Sequence, residues 1–292
     1  MLQNSRLRVA IAQIDSILGD LEANVAKHEA FIREASQAGV ELLLFPELSL
    51  TGYRLEDHLL EVALDRYDAR IQHLAKIDPQ MTVVAGFVEE GTGAQFYNSA
   101  IALHQGRVEF LHRKLNLPSY GHLEEEKLFA SGSYVETFGT GRPWRVSALI
   151  CADLWNPALV HLAMVHGATL LLAPINSAHG AVSGEFSNPH GWRVASQFYA
   201  MMYGMPLMKA NRGGVEKGAH FWGGSQIIGP RGEILAEADD REMLLQGTLD
   251  YAEIRRARFQ LPTVRDSNLD LVHREVARLA GKVGVPDFVR DN

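Results

Sequence analysis

Cys151 is the single cysteine of the 292-residue chain, so any thiol chemistry falls on it. It follows the apolar run Val146–Ile150 and precedes Asn156-Pro157, which reads as a cap with proline in the first helical position. The end of a strand feeding a helix is where open α/β folds place their sites, and a helix N-terminus can lower a thiol pKa. The same position suits a buried, inert cysteine, and Asp153 and Trp155 fit either reading. Glu47 closes a second apolar run in Phe45-Pro46-Glu47-Leu48. A carboxylate there is partly desolvated and suited to general-base work, or is simply an acid on a solvated edge. Lys114 lies after His112-Arg113, a candidate electrophile or a surface lysine. None of the three decides the matter alone.

The elements that must position these residues alternate short apolar runs with helical periods. Leu7–Ala12 reads as a strand. Leu21, Val25, His28, Ile32 and Ala35 recur at helical spacing, with Asp20 as N-cap and Gly39 as stop. Glu41–Phe45 is a continuous apolar run, the mark of a strand covered on both faces. A second helix is expected over Leu59–Lys76, then a strand over Thr82–Val88. Ile101–Leu103 and Val108–Leu111 flank Gln105-Gly106 as a hairpin. From Arg113 to Ser133 periodicity vanishes, and so long a loop in a compact domain is usually functional or disordered. Further strands are expected at Arg145–Ile150, Ala168–Ala173, Pro206–Lys209, Ser225–Ile228, Glu233–Ala236 and Leu244–Leu249. Helices are expected from Pro157 to His166 and from Asn188 to Gly204, the second with Trp192, Ala195, Tyr199 and Met202 on one face. No linker or repeat intervenes, which suggests one α/β domain over 1–292 with a polar tail from about 262. The tail carries a helical patch near Leu269–Leu279.

Taken together, three blocks carry a signal that no single residue does. Phe45-Pro46-Glu47-Leu48-Ser49-Leu50-Thr51-Gly52-Tyr53, then His112-Arg113-Lys114-Leu115-Asn116-Leu117-Pro118, then Leu149-Ile150-Cys151-Ala152-Asp153-Leu154-Trp155 resemble the signature blocks of the nitrilase superfamily of carbon–nitrogen hydrolases. Their order and spacing also fit, over about Arg6 to Asp266. Thr51-Gly52-Tyr53 and Leu117-Pro118-Ser119-Tyr120-Gly121 are most similar to the glutaminase domain of glutamine-dependent NAD synthetases. The ATP-binding synthetase half has no counterpart here, so a free-standing amidase is expected. The resemblance implies a four-layer αββα sandwich and a Glu47–Lys114–Cys151 triad working through a Cys thioester. In it Glu47 is the base, Cys151 the nucleophile, and Lys114 with the Ala152 N–H the oxyanion donors. Members often carry a second glutamate after the lysine. Of Glu124, Glu125 and Glu126, the alignment favours Glu125, although an acidic triplet is also most simply a solvated face. Ala152 departs from the acidic or aromatic residue that members often place after the cysteine; the backbone role survives, but the pocket wall changes.

Tyr53, Tyr120, Trp155, Asn176 and Trp222 are candidate pocket residues by their nearness to the blocks, and equally ordinary core residues. His161 and His166 share no helical face, and the 12 histidines show no metal spacing, so neither metal nor cofactor is expected. Gly213-Gly214 and Gly223-Gly224 lack phosphate-loop partners and read as tight turns near the pocket. A net charge of −7 without a basic stripe argues against nucleic acid as a partner. With no signal peptide, no apolar run of membrane length and a lone cysteine, a cytoplasmic enzyme is expected. The resemblance and the polar tail point to a homodimer or higher homo-oligomer acting on a small-molecule amide or carbamoyl-amine. A nitrilase and a catalytically silent ligand-binding member are the alternatives.

Overall fold

Every apolar run long enough to be a strand needs a covered face, and the chain supplies two sheets that cover each other. The computed structural model describes residues 5–141 and 143–281. The first half runs β1 (Arg6–Gln13), α1 (Leu21–Gln37), β2 (Leu42–Leu44), α2 (Leu59–Val62), α3 (Ala69–Ile77), β3 (Thr82–Gly91), β4 (Gln95–His104) and β5 (Arg107–Arg113). The second runs β6 (Phe138–Gly139), β7 (Arg145–Ala148), α4 (Pro157–Val165), β8 (Leu170–Pro174), α5 (Asn188–Tyr203), β9 (Leu207–Ala210), β10 (Gly213–Glu216) and β11 (Ala219–Trp222). It continues with β12 (Gln226–Ile228), β13 (Ile234–Glu237), β14 (Met243–Asp250), α6 (Tyr251–Gln260) and α7 (Leu269–Ala280).

The strands form two six-stranded mixed sheets, β14-β1-β2-β3-β4-β5 and β13-β12-β9-β8-β7-β6, and a small hairpin of β10 and β11. Alternation along the strands sorts the core into three apolar layers. Ile11, Leu44, Val84 and Ala102 meet Val146, Leu172, Met208 and Ile227 between the sheets. Ala10, Leu43 and Val83, on the opposite face of the first sheet, meet Ile32 and Ala35 of α1 and Leu74 of α3. Leu171 and Leu207 meet Val160 of α4 and Trp192 and Tyr199 of α5. Three such interfaces between four layers make an αββα sandwich, the expected architecture. Each fully buried aliphatic side chain contributes about 2 kcal/mol.

Local chemistry sets most boundaries where the sequence puts them. The Asp20 side chain accepts from Ala23 N at the start of α1, and Asn156 accepts from Ala158 N at the start of α4. Gly204 ends α5 in the left-handed region. The expected helix over Leu59–Lys76 is broken. Leu64 instead bridges β3, with its N–H donating to Val88 O and its carbonyl accepting from Glu90 N. Asp68 then caps a separate α3 through Arg70 N. The glycine pairs 213–214 and 223–224 do not merely turn: they bracket the β10–β11 hairpin. The expected helical patch in the tail is α7, none of whose residues is buried. The rest of the expected tail, residues 282–292, lies outside the described residues, as do the first four residues of the N-terminal segment. No helix among the described residues is long and apolar enough to cross a membrane.

Candidate active site

Glu47, Lys114 and Cys151 each stand one to three residues beyond the C-terminal end of a strand, β2, β5 and β7 respectively. The turn carrying Glu47 lies directly on β3. A Cβ at Gly86 would stand 2.3 Å from Leu48 N, so only glycine admits the turn there. Leu48 follows with φ +47°, and Leu50 N donates to Gly86 O at 3.0 Å. Ser49 Oγ accepts from Gly86 N and lies 2.9 Å from Nε2 of buried His28. Burial holds the His28 pKa down to about 4, so the support beneath Glu47 is neutral at ordinary pH.

Lys114 prolongs β5: its N–H donates to Asn98 O, and its carbonyl accepts from Gly132 N. Its side chain is wholly buried and donates at 2.7 Å both to Glu47 Oε1 and to Glu125 Oε1. Asn98, a polar residue inside the apolar run of β4, donates to the same Glu47 oxygen at 2.8 Å. Tyr53 OH donates to Glu125 Oε1 at 2.6 Å. Glu47 Oε2 and Glu125 Oε2 are buried with no hydrogen-bond partner. Each carboxylate is thus gripped by one oxygen and leaves the other for something else. Glu124 and Glu126 are exposed, and Glu124 pairs with Lys127, so Glu125 alone of the triplet enters the site.

Cys151 sits where the β7 ladder breaks. Leu149 N still donates to Leu172 O, but Ile150 N turns aside to Asp153 Oδ2. Cys151 follows with φ +44°, a conformation costly for a residue bearing Cβ and characteristic of strained functional turns. Asp153, fully buried, also accepts from Leu115 N and Asn116 N at 2.9 and 2.8 Å, and lies 3.0 Å from His112 Nε2. It ties the cysteine turn to the segment carrying Lys114. The sequence leaves Asp153 neutral between readings; its signal was a carboxylate two residues past the cysteine in an otherwise apolar block.

The electrostatics follow from burial. Burial alone pushes Lys114 down, but Glu125 and Glu47 outweigh it and hold the ammonium well above its usual range. Burial, opposed by Lys114 and aided by Glu47, pushes Glu125 up to about 7. The Cys151 thiol is pushed well above its usual range by burial and then by Glu47; Lys114 and an Asn176 backbone N–H act in the other direction. The helix N-terminus expected to lower this pKa is not at the sulfur: a 3-10 turn, Cys151–Trp155, intervenes before α4. The resting group is a neutral thiol beside a carboxylate.

A tight cavity of about 20 Å³ surrounds Cys151, and Tyr53, Tyr120, Ala152, Trp155 and Asn176 all line it. Asn176, two residues beyond β8, donates its amide to Glu47 O at 2.8 Å. Trp222 does not line it. Strand alternation in β11 sends Phe221 toward Tyr53 and turns Trp222 the other way, its ring under Lys209 Nζ at 4.8 Å. Among the described residues no group of three or more His, Cys, Asp and Glu is placed to hold a metal ion.

The model of the carbon-nitrogen hydrolase family matches residues 8–259. The chain is 30% identical over 240 residues to a glutamine-dependent NAD(+) synthetase of Thermotoga maritima, covering 79% of this chain but 39% of that protein. It is 28% identical to N-carbamoylputrescine amidase of Arabidopsis thaliana, over 86% of this chain and 89% of that one. An amidase from Nesterenkonia sp. AN1, solved with the acetamide moiety of fluoroacetamide added at its active-site cysteine, superposes with a TM-score of 0.77 at 26% identity, covering 94% and 99% of the two chains. Fold and family model agree: the chain belongs to the carbon-nitrogen hydrolases of the nitrilase superfamily.

Proposed function

We propose that the chain hydrolyses a small linear amide or carbamoyl-amine to an acid and ammonia or an amine, through a thioester on Cys151. The observation that carries this reading is Lys114 held between Glu47 and Glu125, with the second oxygen of each carboxylate unpartnered beside a neutral thiol. Glu47 takes the thiol proton as sulfur attacks the amide carbon, and the carbonyl π pair moves onto oxygen. Lys114 and the Ala152 N–H stabilise that oxyanion, the kind of preorganised charge stabilisation that dominates acyl transfer. The C–N bond then breaks with its electron pair leaving on nitrogen, which takes a proton from Glu125. Lys114, in contact with both carboxylates, returns the proton held on Glu47 to Glu125. Glu47 deprotonates water, hydroxide attacks the thioester, and sulfur leaves with the proton from Glu47.

Glu125 also favours amide over nitrile. An amide must expel a protonated nitrogen from a tetrahedral centre, and a buried carboxylic acid with a pKa of about 7 is suited to supply that proton. A nitrile needs two protonations before the same thioester forms. We expect kcat/KM for the best amide to exceed that of its matched nitrile by at least about a hundredfold, about 2.7 kcal/mol in the transition state. Equal rates, or a faster nitrile, would reverse the reading.

A further inference from the structure

Beyond the tight cavity at Cys151 lies a second and larger one of about 270 Å³. The two share walls: Tyr53, Leu123, Asn176 and Ala181 line both, so the second cavity is the vestibule of the first. Its floor is apolar, from Tyr53, Ala178, Ala219 and Phe221. Its charged side chains are Arg54 and Lys217, joined by His122 and His179, and no carboxylate lines it among the described residues. Lys217 is already engaged with Glu56 and Asp57 at 3.3 Å each. Arg54, by contrast, makes no ion pair among the described residues, and its planar guanidinium is suited to a carboxylate.

The vestibule is built rather than incidental. The backbone N–H groups of Tyr53 and Arg54 both donate to Glu216 Oε1, at 3.0 and 2.7 Å, which fixes where the arginine side chain starts. Glu216 is itself buried and paired with Arg212, so its charge is spent on the wall and is not offered to a ligand. His122 N donates to Ala181 O, and His179 N to His220 O. A Cβ at Gly121, whose φ is +62°, would stand 2.4 Å from the carbonyl oxygens of Ala181 and Val182, so the loop before His122 closes on that segment only with glycine. Three stretches of chain are thereby held around one unpaired guanidinium.

We propose that this vestibule binds a carboxylate at the far end of the substrate, making the preferred substrate an ω-amide of a short dicarboxylic acid with no amino group beside that carboxylate. The inference rests on the amidase reading above. The amide end occupies the tight cavity at Cys151, a short methylene chain crosses the apolar floor, and the carboxylate pairs with Arg54. A guanidinium binds a carboxylate through two parallel N–H donors, which suits this end of the molecule. An ammonium group in the same place meets the like charges of Arg54 and Lys217, and no carboxylate lines the cavity to offset them. Glutamine, which carries both groups, is therefore a poorer substrate than the corresponding ω-amide without the amine.

The test compares glutaramate with pentanamide, γ-aminobutyramide and glutamine by ammonia release. The wild-type protein should favour glutaramate over each of the others by at least tenfold in kcat/KM, mostly through KM. Arg54→Lys should keep the preference for glutaramate over pentanamide in weakened form, Arg54→Ala should bring that ratio near one, and Arg54→Glu should turn the preference toward γ-aminobutyramide. A wild-type ratio near one, or a ratio unmoved by Arg54→Glu, would overturn the anion site while leaving the amidase reading intact. No turnover of any amide would instead strike that reading. Glutaramate binding to Cys151→Ala protein, measured by calorimetry, then decides the site alone: binding weakened at least tenfold by adding Arg54→Glu supports it, and absent or unchanged binding refutes it.

Discussion

Glu125 is the residue whose environment most shapes the pH behaviour of the site. Its carboxyl is pushed from an ordinary 4.5 up to about 7, burial being the largest cause, so the folded protein holds a proton that the unfolded chain releases. The sign follows directly. The stability contributed by this proton is fully present below pH 4.5 and is lost as pH rises through about 7. In the proposed mechanism the same proton is the one offered to the leaving nitrogen. We expect the amide rate to fall as pH rises through about 7, and Glu125→Gln, which cannot titrate, to be slower but to lack that limb. An unchanged alkaline limb in the variant would assign the titration elsewhere. The residue-level reading of the sequence favoured Glu125 by resemblance and left the triplet open; in the fold Glu125 alone of the three is buried and meets Lys114, a distinction that sequence position does not carry.

At the scale of elements, Asp153 joins two blocks 37 residues apart, since its one carboxylate serves Ile150, Leu115 and Asn116 N–H groups. Asp153→Ala orphans all three together with His112. We expect a loss of at least about 3 kcal/mol in urea unfolding and a fall in kcat in whatever protein remains folded. A loss below about 1 kcal/mol would show that the turn at Cys151 holds itself. Such pairings explain what the sequence conveys and what it does not. β1, β2, β7, β8 and the capped starts of α1 and α4 were legible because apolar runs and capping residues are local signals. The break between α2 and α3 was not, because Leu64 leaves helical periodicity to pair with β3, a choice made by tertiary contact. Asn98 and Arg54 were invisible for a similar reason: a single polar residue in a strand or loop carries no period, and only the fold brings it to the site. Trp222 was misplaced because nearness in sequence ignores which face of a strand a residue takes.

For the whole molecule, the four-layer sandwich leaves apolar surface uncovered. Leu162 and Val165 of α4, and Val194, Phe198 and Met201 of α5, are exposed on the outer face of the second sheet's helices. Val272, Val276 and Leu279 of α7 are exposed as well, at helical spacing. Contiguous apolar surface on a folded protein marks an interaction site more often than not, and the polar tail has too few apolar positions for a core of its own. We expect light scattering at micromolar concentration to give a homodimer or larger homo-oligomer; a monomer would refute this.

The central claim is that Cys151 carries the acyl group, and peptide mass spectrometry tests it most directly. The protein is mixed with a good amide substrate, quenched in acid during turnover, digested and read for an acyl mass on the peptide containing Cys151. The account predicts that adduct in the wild-type protein and neither adduct nor turnover in folded Cys151→Ala. It predicts formation at least about a hundredfold slower in Glu47→Gln and in Lys114→Ala, as for the loss of a general base or an oxyanion donor. Full turnover by folded Cys151→Ala protein would contradict it.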